Sequence, residues 1–295
     1  MYGNGFFYIP GTETCLKING RVRVEYEYED DNETGDSTGD FVGSARVAFD
    51  ARNETDFGTL RSFLRLSSGS VLTRDGSGRS VGIDEAYISL AGLTFGVQES
   101  FWARNNGYGH PLVFGGQYGF QNVVMAEYTY AANGFSATIG LQGDETVDDT
   151  ELNYYAGVSY RSSAFYLAAH VQYDSDTSDT AYGVSAELNV IDNLTVQGWY
   201  HGDDGETALI PGNSDQQWGV SARYDFADFS GFYVGAGYNE VDGGSGATSG
   251  DQERITAEFG FTPVSQLSVN FAWENVETDL GTDTDSFRLR VTRTF

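Results

Sequence analysis

Phe287-Arg288-Leu289-Arg290-Val291-Thr292-Arg293-Thr294-Phe295 closes the chain. Phe287, Leu289 and Val291 alternate with Arg288, Arg290 and Thr292, and a period of two residues is that of a β-strand with one apolar and one polar face. The final residue is aromatic. The same alternation runs back towards the N-terminus. Leu16, Ile18, Val22, Val24, Tyr26 and Tyr28 share one parity, against Lys17, Asn19, Arg21, Arg23, Glu25 and Glu27. Ala45, Val47, Phe49 and Ala51 stand against Ser44, Arg46, Asp50 and Arg52, and Leu60, Leu64 and Leu66 against Arg61, Phe63 and Arg65. Later runs, from Phe135/Ala137/Ile139/Leu141 to Leu267/Val269/Phe271/Trp273, repeat the pattern. Continued along the chain, this reading gives about sixteen strands of roughly ten residues.

Composition limits what such a sheet can be. The 295 residues include 38 glycines, 15% aromatics and only 4 prolines. Mean hydropathy is −0.36, and no apolar run approaches the ~20 residues of a transmembrane helix. A transmembrane β-barrel is compatible with that value, because its lipid-facing and lumen-facing residues average out. The 43 acidic residues against 16 basic ones, formally −27, exclude nucleic acid as a partner. The regularly placed aromatics exclude a disordered acidic chain. Cys15 is the lone cysteine, so no internal disulfide forms. No signal peptide precedes Tyr2, and the sequence is read as starting near the mature N-terminus.

The connectors alternate in kind. Short turns fall at Asn53–Gly58, Ala91–Gly92, Ala131–Gly134, Arg161–Ala164, Ile191–Asn193 and Thr262–Gln266, rich in the residues tight turns demand. Between them lie longer acidic stretches: Asp30–Asp40, Ser67–Ser80, Asp144–Asp149, Asp203–Asp215, Val241–Asp251 and Val276–Asp285. A soluble β-sandwich also pairs an apolar with a polar face. Strictly alternating connector lengths, however, belong to an up-and-down barrel. Aromatics bracket the short turns (Tyr130 and Phe135, Tyr160 and Phe165, Tyr224 and Phe232), as an interfacial girdle requires. Arg, Glu, Gln and Asn in mid-strand suit a wet lumen. The fold expected is an all-β antiparallel transmembrane barrel, with residues 1–14 as a periplasmic segment leading into one barrel over 15–295.

Particular stretches resemble a known family. Tyr2-Gly3-Asn4-Gly5-Phe6-Phe7-Tyr8-Ile9-Pro10-Gly11-Thr12-Glu13-Thr14-Cys15-Leu16 is similar to the opening of mature general porins of alphaproteobacteria. The strand Lys17–Tyr26, the segment Ile83–Leu90 followed by Gly92-Leu93-Thr94-Phe95-Gly96, and the terminal Phe295 resemble the same family. The resemblance implies a sixteen-stranded outer-membrane barrel, trimeric, passing ions and small hydrophilic solutes by diffusion, with the third long loop folded into the lumen. Relatives usually carry a second cysteine just before the position of Tyr2, pairing with the one matching Cys15. Here Met1 stands there, which implies a free thiol.

Residues 99–121 are the candidate constriction loop, with Phe101, Trp102, Arg104, Tyr108, His110, Phe114 and Tyr118. So many rings in one connector are better buried against the wall than left in water, although a packed external lid is the alternative. The facing wall is assigned to Arg21, Arg23, Arg46, Arg52, Arg61, Arg65, Arg288 and Arg290, all of lumen parity and contiguous once the last strand pairs with the first. With Glu25, Asp50, Glu85 and Glu99 nearby they would set a transverse field; the plainer alternative is that they neutralise lumen carboxylates and fill space. The loop contributes few acids to such a field. Carboxylates in the external loops raise cation concentration at the mouth, and a modest cation preference follows.

No cofactor is expected. Asp174-Ser175-Asp176 and Asp283-Thr284-Asp285 would suit Ca2+ bridging to lipopolysaccharide, but they lack the glycine and terminal glutamate of an EF-hand loop, so solvated acid is the simpler reading. Catalysis has no support: His170 and His201 have lumen parity, His110 lies in the candidate loop, and no two histidines stand at metal-ligand spacing. A sugar-specific channel would use a lumen ladder of aromatics, for which Tyr166, Trp199 and Tyr233 have the parity. A non-conducting structural or adhesive barrel is the remaining alternative.

Overall fold

The computed structural model describes residues 2–68, 80–105, 122–143, 152–204, 214–227, 231–243 and 250–295. A short strand β1 (Phe7–Tyr8) leads into β2 (Cys15–Asp31), β3 (Ser37–Thr55), β4 (Gly58–Ser68), β5 (Val81–Leu90) and β6 (Leu93–Glu99). One helical turn, α1 (Phe101–Asn105), precedes β7 (Asn122–Ala132), β8 (Phe135–Gly143), β9 (Leu152–Arg161) and β10 (Phe165–Tyr173). The series ends with β11 (Thr180–Ile191), β12 (Leu194–Asp203), β13 (Ser214–Asp225), β14 (Tyr233–Gly243), β15 (Gln252–Val264), β16 (Leu267–Thr278) and β17 (Asp283–Thr294).

Each strand from β2 onward pairs antiparallel with its sequence neighbours, and β17 pairs back onto β2 from Thr284↔Asp31 to Thr294↔Arg21. The result is a closed barrel of sixteen strands with β1 added at its N-terminal end. Closure leaves no strand edge unpaired, which is what a sheet must achieve in hydrocarbon. Backbone hydrogen bonds between Phe295 and Gly20, 3.0 Å in each direction, secure the seam.

The apolar parity points outward. Val22, Val24, Ile139, Val158, Val184, Val220, Phe259 and Leu289 are all exposed, whereas Glu25, Gln142, Gln172, Gln197, Gln217 and Glu258 on the opposite parity are buried. Only a bilayer accommodates an apolar belt of that extent on an isolated barrel. Tyr130, Phe135, Tyr160, Phe232 and Val264 are exposed beside the short turns, and the ring pair Tyr160–Phe165 lies at 5.8 Å. Tight turns close that end. Asn133-Gly134 and Ala91-Gly92 both take positive φ at two successive residues, the backbone of a two-residue hairpin loop that matches strand twist.

The other end departs from expectation. Two stretches read as loops are partly strand: β2 runs to Asp31 and β3 starts at Ser37, while β16 runs to Thr278 and β17 starts at Asp283. Asp283-Thr284-Asp285 therefore belongs to a strand. Such strands outrun the membrane, since the 19 residues of β3 span about 60 Å at ~3.3 Å per residue while the apolar band is ~25 Å tall. Ladder pairing continues in water because the acids flank the backbone without competing for its hydrogen bonds.

Candidate functional site

After β6 the chain turns inward at α1. Glu99, taken as the first loop residue, is instead the last residue of β6 and pairs with Asn122 of β7. Ser100 caps α1: its Oγ accepts the Ala103 N–H at 3.2 Å and its carbonyl accepts that of Arg104 at 3.1 Å. So short a helix holds no stability of its own, and side chains fix it to the inner wall. Phe101 stacks on Tyr155 of β9 at 4.3 Å and 15°. Trp102 sits 4.8 Å from His170 of β10 and 4.8 Å from His201 of β12. Both rings of α1 are almost fully buried. The two imidazoles lie over Gly183 of β11, the register partner of both. A Cβ there would come within 2.4 Å of the His170 ring, so glycine makes the space.

Arg104 completes the attachment. Its guanidinium donates to both Glu127 carboxylate oxygens, at 3.1 and 2.7 Å, and its Nε to the Glu99 carbonyl at 3.0 Å. Burial is the largest single influence and works against its charge, but the hydrogen bonds to Glu127 together with the charges of Glu127 and Glu99 and the Tyr155 phenol outweigh it and hold its pKa above the ordinary arginine value. Tyr108, His110, Phe114 and Tyr118 lie outside the described residues.

Across the barrel, the eight arginines assigned to the wall lie together on β2, β3, β4 and β17. Six of them are paired. Arg52 and Arg61 each clamp Asp50 with two hydrogen bonds of 2.7–3.1 Å. Arg61 also lies over Phe63 and Tyr87, and Arg52 over Phe6 and Tyr2 of the N-terminal segment. Arg46 and Arg65 share Asp84, at 3.1 and 2.6 Å, and Arg65 reaches Glu85 at 3.1 Å. Arg290 pairs with Glu25, and Arg288 with Glu27 at 2.9 Å. Arg21 and Arg23 pair with no carboxylate among the described residues.

Asp84 was not among the residues that parity singled out. A register shift between Arg65 and Leu66 sets Glu85 opposite Arg65 and Ile83 opposite Leu66, with Asp84 as the extra residue. This bulge turns two successive carboxylates inward, each nearly fully buried. The detectable signal is Asp84-Glu85 between outward Ile83 and inward Tyr87, where the alternation slips by one. Glu127 and Tyr155 were missed because nothing local marks them; they matter only through what α1 lays on them. The acidic runs are engaged locally. Asp283 and Asp285 accept from Asn32 and Asn275, and Trp273 donates to Asp285 at 2.7 Å.

A closed sixteen-stranded barrel with an apolar outside agrees with the comparisons. The model of the porin subfamily matches residues 1–286. The chain belongs to this porin family. Porin Omp2b of Brucella canis is 30% identical to it over 309 residues, covering 93% of this chain and 83% of the relative. Porin Omp2a of Brucella ovis is 34% identical over 252 residues, covering 74% and 71%. In fold, the porin is similar to Salmonella typhi OmpF solved with daunomycin (TM-score 0.77, 14% identity, 98% and 100% of the two chains). It is also similar to the outer membrane channel DcaP of Acinetobacter baumannii (TM-score 0.76, 15% identity, 98% and 99%). Family membership makes the porin a bacterial outer-membrane channel for passive diffusion, and not an enzyme.

Proposed function

We propose that the eyelet of this channel lies between α1, seated on the β7–β12 side, and the arginine-bearing wall of β2, β3, β4 and β17, and that it passes ions and small hydrophilic solutes without substrate specificity. The observation that carries this reading is the burial of Phe101 and Trp102 against inward-facing rings of β9, β10 and β12. It supports a connector that narrows the lumen in preference to an external lid. The alternative of a sugar-specific channel is disfavoured because its three aromatics are each engaged separately. Tyr166 lies beneath Arg161, Trp199 stacks on His201, and Tyr233 contacts Arg223 and hydrogen-bonds Glu258.

The assembly proposed is a homotrimer in contact with lipid and lipopolysaccharide, with the first and last barrel strands in the interface. Family relationship supports it, and so does the run of outward apolar residues on β2, β3 and β17 that a neighbouring barrel would cover. Extracellular carboxylates draw cations to the outer mouth. Neither a cofactor nor structural Ca2+ is required by this reading.

Purified protein in a planar bilayer tests it. Discrete conductance steps that close in threes, rising in proportion to salt and unblocked by sugars, are expected. Saturable sugar block would favour the specific channel, and silence from correctly folded protein would refute the pore.

A further inference from the structure

Arg21 and Arg23 look like the other six arginines in sequence and differ from them in what surrounds them. Register explains the difference. Across β17 and β2, Arg290 meets Glu25 and Arg288 meets Glu27, but Arg23 meets Thr292 and Arg21 meets Thr294. Across β2 and β3, Arg21 meets Arg46 and Arg23 meets Ser44. Arg23 is thus flanked by two hydroxyls and Arg21 by a hydroxyl and a second guanidinium. The Nε of each is buried with no hydrogen-bond partner among the described residues.

The segment that follows β6 has no carboxylate to supply the missing charge. Residues 100–121 contain neither Asp nor Glu, and they add Arg104 and His110. Neighbouring Arg290 and Arg46 are already committed to Glu25 and Asp84. The wall therefore holds two adjacent guanidinium forks, two residues apart on one strand face, with donors on either side and no carboxylate in ion-pair contact among the described residues; Glu25, the acid whose charge reaches both, is itself held by Arg290. A planar fork of N–H donors matches the oxygens of a phosphate or carboxylate, and it stays charged at every relevant pH. In the confined lumen its field is screened less than on an open surface.

We propose that Arg21 and Arg23, flanked by Ser44, Arg46 and Thr292, form an oxyanion site in the pore wall at which phosphate and small phosphorylated or carboxylated solutes pause during passage. The inference rests on the pore reading above and refines it: cations gather at the outer mouth while the waist holds oxyanions. Passage stays passive and open to other small solutes, and the site only lengthens the stay of oxyanions in the lumen.

The test uses inorganic phosphate against chloride, on the full chain and on two double variants. Arg21→Ser with Arg23→Ser removes the charge; Arg21→Lys with Arg23→Lys keeps the charge and removes the forks. Wild-type current in sodium phosphate should level off with concentration while current in sodium chloride rises linearly, and added phosphate should reduce the chloride current. The serine variant should lose both effects and shift its permeability ratio severalfold towards cations. The lysine variant should keep the ratio and bind phosphate more weakly. Phosphorus NMR line broadening of phosphate by detergent-solubilised protein reads the site independently of conduction, with circular dichroism confirming the folded barrel. Broadening that serine substitution abolishes, from a protein silent in bilayers, would refute the pore and uphold the site. Linear phosphate conductance with no broadening, or phosphate block unchanged by the serine variant, would overturn the proposal and leave the pore intact.

Discussion

Replacing Trp102 by alanine should unseat the constriction while leaving the barrel standing. α1 is a single turn, so its position is a balance of side-chain attachments: Phe101 on Tyr155, Trp102 against His170 and His201, and Arg104 on Glu127. Trp102 is only 2% exposed, and truncating a buried tryptophan costs ~3–5 kcal/mol. Water can refill a lumen site lined by imidazoles, so the lower end, about 3 kcal/mol, is the fair value here. At ~1.4 kcal/mol per factor of ten, the unseated population rises by about 100-fold. Single-channel recording should then show a larger or noisier open level, with frequent transitions absent from the parent. Thermal unfolding should move little, because closure of the β-ladder through the β17–β2 seam is untouched. A Trp102→Ala channel with the same conductance and noise as the parent, recorded from folded protein, would refute the claim that these rings hold the eyelet.

Asp50→Asn leaves Arg52 and Arg61 without the carboxylate they share; reversal potential in a salt gradient should shift towards anions, and an unchanged value would mean that this pair lies outside the conduction path. Gly96→Ala introduces a Cβ at φ +138°, 2.3 Å from the Ala86 carbonyl oxygen across the β5–β6 pair. Strain of at least ~1–3 kcal/mol is expected, read as a lower folded yield in urea titrations of vesicle-inserted protein. Val220→Arg places a charge on the lipid face near the middle of β13 and should cost ~2–4 kcal/mol in the same titration, whereas Val264→Arg at a strand end should cost ~0–1 kcal/mol.

Much of the wall was legible because alternation is a local property. The parity of Arg288 and Arg290 against Leu289 and Val291 fixes which face they share in any strand, and counting the alternating runs between turns gives about sixteen strands. Where alternation broke, parity misled. Asp84 escaped notice because a bulge opposite Arg65 turns it inward beside Glu85, and a one-residue slip reverses every inference drawn from period two. Two of the acidic segments read as loops, Asp30–Asp40 and Val276–Asp285, are partly strand for a related reason: outside the bilayer neither face need be apolar, so the signal vanishes while the backbone ladder continues. The attachment of α1 was half legible, since the loop's aromatic content required burial but could not name Tyr155, His170 or Glu127 as the surfaces that receive it.

The sequence by itself determined a closed barrel, its inside and its outside, and the inward placement of eight arginines, because side-chain direction along a strand depends only on position modulo two. Only the tertiary structure decided which of those arginines are neutralised. Charge pairing depends on inter-strand register, and register is set by turns and bulges tens or hundreds of residues away. It puts Arg290 beside Glu25, 265 residues distant, and leaves Arg21 facing Arg46.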